Sequence, residues 1–226
     1  MKIKCLDKGY IEVMSNTCKG DLLVVNAARC SFDKEHEVFD YHKDSKLIDY
    51  LAKHQHLLPF RHPQATLRIH APIFVLRQLG KHQVGFSWSE VSRRYITNRP
   101  EFYYPEPEEW RPAAENVKQG SSDEPLPEYV QKYSDESLEE TYSLALHYYD
   151  AMLDDGVCAE QARMLLPQSM YTTTVTTGSL LGWFHMFKLR SEAHTQRESQ
   201  AYAAAVNEAM SYLFPESWRA LCEHSL

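Results

Sequence analysis

The 226-residue chain predicts an α+β fold, and three observations carry that prediction. Segments with helical spacing crowd around a few strand-like runs. Those runs do not alternate regularly with the helices. Neither GxGxxG nor GxxxxGK[ST] occurs, so the glycine-rich loop of a doubly wound nucleotide-binding sheet is missing. The length is enough to bury a substantial core.

Taken in order, residues 10–14 read as a short strand after the Lys8-Gly9 turn. Residues 21–32 open on a candidate N-cap, Asp21, and carry an apolar run that fits either a short helix or a strand. Ser45 is placed to cap a helix with the stripe Leu47, Ile48, Leu51 and Ala52, and Pro59 forbids its continuation. Residues 64–70 alternate polar and apolar, a strand with Leu67 and Ile69 inward. Pro72 suits the first turn of a helix that buries Ile73, Phe74, Leu76 and Leu79. Gly80 and Gly85 then let the backbone approach a ligand. Residues 97–112 are too proline-rich for one regular element, and residues 119–127 read as a linker. Ser137 and Glu140 form a capping box for a long helix that Gly156 ends. A short helix over 159–166 carries Arg163, a β-branched strand covers 170–177, and helices cover 179–190 and 192–213. Pro215 starts a terminal helix.

The net charge of -7 disfavours nucleic acid and an anionic membrane as partners. No apolar run approaches the ~20 residues of a membrane span, and the first residues lack the apolar core of a signal peptide. Five cysteines without a CxxC pair fit free thiols in a reducing, cytoplasmic setting. Histidines 54, 56, 62, 70 and 82 lack a neighbouring Asp, Glu or Cys at ligand spacing, so no metal site is assigned. Positive charge gathers instead in residues 76–104, where Arg77, Lys81, Arg93 and Arg94 mix with hydroxyls and aromatic rings. That mixture suits an anionic, planar ligand such as a nucleotide.

The ordered blocks NAARCSF, HLLPFRH, HAPIFVLRQLGKHQ, SEVSRRY, EFYYP, ARMLLP and LRSEAHTQRE resemble the flavin-dependent thymidylate synthases over about residues 24–202. The family signature is Arg-His-Arg, seven residues, then Ser. Here Lys81-His82-Gln83 stands in its place, with one extra residue before Ser92. A second departure puts Ser179-Leu180-Leu181 where the family has Asn-x-Arg. The resemblance implies a single α+β domain over residues 1–226, with a mixed or antiparallel sheet flanked by long helices. It also implies conversion of dUMP to dTMP, with methylenetetrahydrofolate as carbon donor, FAD as cofactor and NADPH as reductant. The resemblance implies further that no covalent cysteine adduct is involved and that the enzyme is a homotetramer with shared sites.

Carried over residue by residue, Arg190 is the catalytic cation at the uracil edge. Gln78, Lys81, Glu90, Ser92, Arg94 and Arg163 join it in binding substrate. Leu58, Lys81, His82, Gln83, Glu90, Ser179, Leu181 and His185 line the cofactor. Because Leu181 removes an arginine, Leu181→Arg is expected to tighten FAD. Two other readings compete: a nucleotide-binding protein of this fold without catalysis, and a histidine-metal hydrolase.

Overall fold

A computed structural model of the chain describes residues 1–115 and 120–224. Its strands are β1 (Lys2–Cys5), β2 (Gly9–Asn16), β3 (Gln64–Pro72), β4 (Phe86–Glu90) and β5 (Tyr171–Ser179). They form one sheet in the order β1-β2-β3-β5-β4, and every pairing is antiparallel. The helices are α1 (Gly20–Arg29), α2 (Tyr41–Lys53), α3 (Ile73–Leu79), α4 (Glu128–Asp154), α5 (Ala159–Ala162), α6 (Leu180–Arg190), α7 (Arg197–Leu213) and α8 (Pro215–Glu223). The α+β expectation holds.

The centre of the sheet is the β3–β5 pair, in register from Gln64↔Ser179 to Pro72↔Tyr171. Alternation in β3 sends Ala65, Leu67, Ile69 and Ala71 into the core, as the sequence pattern requires. Their partners on β5 include Thr172, Thr174 and Thr176, which are also buried. The hydroxyls of Thr174 and Thr176 satisfy each other at 3.1 Å, which lets a threonine-rich strand sit inside. Against this face pack Val24 and Val25 of α1, Ile48 of α2, Trp183 and Met186 of α6, Tyr202 and Val206 of α7, and Trp218 of α8. The long α4 stands apart, burying only Tyr142 and Tyr149, with Tyr142 in a second small cluster beside Phe102 and Met170.

Several expectations change in detail. Residues 20–29 resolve as helix, but Asp21 does not cap it. Its two carboxylate oxygens accept from the backbone N–H groups of Glu216 and Ser217, at 3.1 and 2.9 Å, and so cap α8. Asp40, not Ser45, caps α2, accepting from the N–H groups of His42 and Lys43. The helix assigned to Ser137 begins nine residues earlier, at Glu128, so Ser137 lies inside it. The last long helix starts at Arg197, leaving His194 in the preceding turn. β1 and β4 were not read from the sequence. Gln119, the first linker residue, lies outside the described residues. No helix among the described residues is long and apolar enough to cross a membrane.

Two junctions position the site. The last turns of α3 and α6 end side by side. At the β5–α6 junction the Ser179 hydroxyl accepts from the Gly182 N–H at 3.1 Å, capping α6. Gly85, at φ 79, packs so close that a Cβ there would lie 2.7 Å from the Ser179 Oγ. The glycine thus admits Ser179 of the same chain, where the sequence suggested a ligand. Gly80 has an ordinary right-handed φ of -68.

Candidate active site

Arg190, the last residue of α6, is held from two sides. Its Nε donates to His82 Nε2 at 3.1 Å, and its Nη2 donates to the Gln78 carbonyl at 2.9 Å. To accept that bond His82 must be neutral at Nε2. Burial pushes its pKa down to about 4, and the cation of Arg190 and nearby His185 push the same way. Trp88 Nε1 donates to the His82 carbonyl at 3.3 Å and fixes the backbone behind the ring. Burial also works against the charge on Arg190, lowering its pKa, while Glu192 opposes that.

Arg190 opens into a cavity of about 710 Å³ that also exposes Gln78 and Lys81. Arg77, Arg111, His194 and Gln196 line it too. The Gln78 side chain donates to the Gln196 side chain, joining the end of α3 to the start of α7. A second cavity of about 650 Å³ shares Arg77 and Lys81 with the first, and brings in Gln83 and Glu90. Gln83 gives its side-chain N–H to the Gly80 carbonyl, so it closes its own turn.

A third cavity of about 430 Å³ contains Ser179, Leu181 and His185, together with Arg61, Gln64 and Ser87. Burial lowers the His185 pKa, and the cations of Arg61 and Lys188 add to the effect. Leu181 is 3% exposed and packs in the core. Arg61 supplies the positive charge in the lining itself. One arginine, neutral donors and an apolar wall of Phe86 and Leu181 make a donor set that fits a planar, phosphate-bearing cofactor. Leu58 lies in the short turn Leu58–Arg61 and is 67% exposed, outside these cavities.

Ser92, Arg94 and Arg163 line none of these three cavities. Arg94 Nε lies 3.8 Å from Glu160, and Arg163 Nε donates to the Glu160 carbonyl at 3.2 Å. Ser92 Oγ accepts from the Arg94 N–H at 3.3 Å. The three residues therefore form a separate, solvent-facing cationic cluster. Arg93, another of the positive charges gathered in residues 76–104, is buried and donates to the Asn98 carbonyl. Among the described residues the one three-residue grouping at metal-ligand distances is Asp49, Glu223 and His224, outside the histidine run. Arg219 already sits among its carboxylates.

The family model for the thymidylate synthase complementing protein matches residues 12–216, nearly the whole chain and every cavity described. The chain belongs to that family. A flavin-dependent thymidylate synthase of Thermus thermophilus is 35% identical, over 100% of this chain and 80% of its own length. One from Thermotoga neapolitana is 33% identical, over 100% of this chain and 96% of its own. Among solved structures, the UMP/dUMP methylase PolB of Streptomyces cacaoi, bound with 5-Br dUMP, superposes with a TM-score of 0.85. It is 28% identical and covers 98% of this chain and 97% of its own. The protein is therefore an enzyme of the flavin-dependent thymidylate synthase class.

The signals missed in the sequence were Arg61, in the HLLPFRH block, and Arg111, in the proline-rich run. Neither has periodic spacing to mark it: Arg61 ends the short turn Leu58–Arg61, and Arg111 lies in irregular chain.

Proposed function

We propose that the chain methylates dUMP to dTMP, with methylenetetrahydrofolate as carbon donor and FAD, reduced by NADPH, as hydride source. The observation that carries this is Arg190, fixed by His82 and the Gln78 carbonyl and opening on a cavity lined with further cations.

Uracil C5 is a weak nucleophile until N3 gives up its proton to solvent and the ring becomes anionic, which raises the electron density at C5. Arg190 meets the N3/O4 edge with the guanidinium N–H groups not committed to His82 and Gln78, and so stabilises that anion. Because its two anchors are in place before substrate arrives, little reorganisation is needed. Gln78 and Lys81 orient the nucleotide in the same cavity, Lys81 as a point charge where an arginine fork would be bidentate. When bound, FAD would supply the hydride, and Arg61, His82, Gln83, Glu90, Ser179 and His185 would hold it. No thiol attack is involved. None of the five cysteines lines the three cavities, and burial pushes the Cys5 pKa up to about 12.

Ser92, Arg94 and Arg163 take the phosphate in this reading, from a neighbouring copy of the chain. Their separation from the Arg190 cavity supports a homotetramer with sites built across subunits. The test is dTMP formation from dUMP with NADPH and methylenetetrahydrofolate, read with the flavin absorbance of the purified protein. Arg190→Ala is expected to abolish turnover and keep the flavin spectrum. A wild-type protein that makes no flavin-dependent dTMP refutes the proposal.

A further inference from the structure

The start of α7 ties together two parts of the wall around Arg190. Gln196, its N-cap residue, accepts from the Gln78 side chain, and Gln78 gives its carbonyl to Arg190. Two residues on, Glu198 binds Arg111 Nη2 through Oε1 at 2.8 Å. Arg111 in turn donates Nε to the Ser121 hydroxyl at 3.0 Å and Nη1 to the Glu109 carbonyl at 3.1 Å. Arg111, Ser121 and Gln196 line both the Arg190 cavity and a smaller cavity of about 320 Å³ walled by Tyr103, Trp110 and Tyr142. They form the partition between the two.

The pair is nearly dry, with side chains 15% and 9% exposed for Arg111 and Glu198. The second carboxylate oxygen of Glu198 is buried with no hydrogen-bond partner among the described residues. A buried pair of this kind adds little net stability over apolar packing, because desolvation offsets the attraction. What it does supply is a fixed geometry. The neighbouring contact of Arg197 with Asp123 cannot substitute, since both side chains are exposed and screened.

We propose that Arg111 and Glu198 are positioning residues for the nucleotide. They fix the Ser121–Gln196 wall of the Arg190 cavity and so set how tightly dUMP is held, without touching the reacting atoms. This rests on reading that cavity as the dUMP site.

The experiment measures kcat, KM and direct dUMP affinity for wild type, Arg111→Met, Arg111→Lys, Glu198→Gln and Ser121→Ala. Flavin content is recorded for each. Arg111→Met should raise KM and Kd for dUMP about 10-fold or more, with kcat within about 2-fold. Arg111→Lys should recover part of the loss. Arg111→Met combined with Glu198→Gln should cost no more than the larger single change, because the two act as one unit. Ser121→Ala removes only a hydroxyl, so it folds, and it should raise KM about 3-fold. An active wild type whose dUMP KM is unchanged in Ser121→Ala and Arg111→Met overturns this inference alone. So does a loss confined to kcat. A wild type that makes no dTMP overturns the functional reading itself.

Discussion

Replacing His82 by Ala tests whether Arg190 depends on its neutral imidazole anchor. The imidazole is one of two groups holding the guanidinium, through the 3.1 Å bond from Arg190 Nε. A hydrogen bond to a charged group contributes about 1.5–3 kcal/mol. Both residues are only half-buried, so the lower end applies, about 1.5 kcal/mol. If that energy serves to orient Arg190 in the transition state, kcat should fall about 10-fold, with KM for dUMP changed far less. The Gln78 carbonyl remains, so turnover is reduced and not abolished. Steady-state kinetics at saturating NADPH and folate, normalised to bound flavin, separate this from simple cofactor loss. The bond also has a pH signature. The folded-state pKa of His82 is about 4, below its ordinary value of 6.5, so the unfolded chain takes up the proton first. Native stability from this site is full above about pH 6.5, falls as pH drops from there towards 4, and levels off below. An NMR titration of the His82 ring should give a pKa near 4. A value at or above 6.5, or His82→Ala with unchanged kcat per flavin, refutes the anchoring role.

Three further outcomes follow from particular contacts. Asp44 is fully buried, with Oδ1 paired with Arg29 at 2.8 Å and Oδ2 accepting from the Asp40 N–H, so Arg29→Ala leaves Oδ1 without its cation and should cost about 3 kcal/mol. That corresponds to a fall of about 6–12 °C in Tm for a chain this long, and a fall below about 2 °C in a thermal melt would rule the pairing out. Leu181→Arg, expected from the sequence to tighten FAD, should instead destabilise the protein by several kcal/mol, about 3 or more, because its side chain is in the core. Calorimetry decides, and a stable variant with tighter flavin would restore the earlier expectation. Arg190→Ala and Arg163→Ala, each inactive alone, should regain activity when unfolded and refolded together, because some mixed sites carry both native residues. No recovery would place the complete site within one chain.

The parts of the fold that were legible in the sequence are those with local causes. β3 was visible because one face is buried and the alternation is strict, and α3 because Pro72 opens an apolar run. β4 was not, since an edge strand with Ser87, Ser89 and Glu90 exposed has little apolar pattern to show. The caps failed for a related reason. Asp21 and Ser45 have the right chemistry next to apolar runs, but a carboxylate can cap any helix that comes within reach. Asp21 satisfies α8, 195 residues away. Nothing local distinguishes those outcomes.

The site followed the same division. Arg190, Gln78 and Lys81 were found through the order of blocks, and the structure gathers them around one cavity. The losses at Gln83 and Leu181 looked like missing charges at the cofactor. Leu181 is packed in the core with an edge on the third cavity, and the arginines in the cavity walls are Arg61 and Arg77. A cation needed at a phosphate need not come from the same position in the chain, because Coulomb attraction depends on distance and dielectric and not on sequence. An arginine has a long reach, so the charge can move from one element to another while the positive field of the site stays in place. Lys81 keeps that field as well, and gives up only the directional fork.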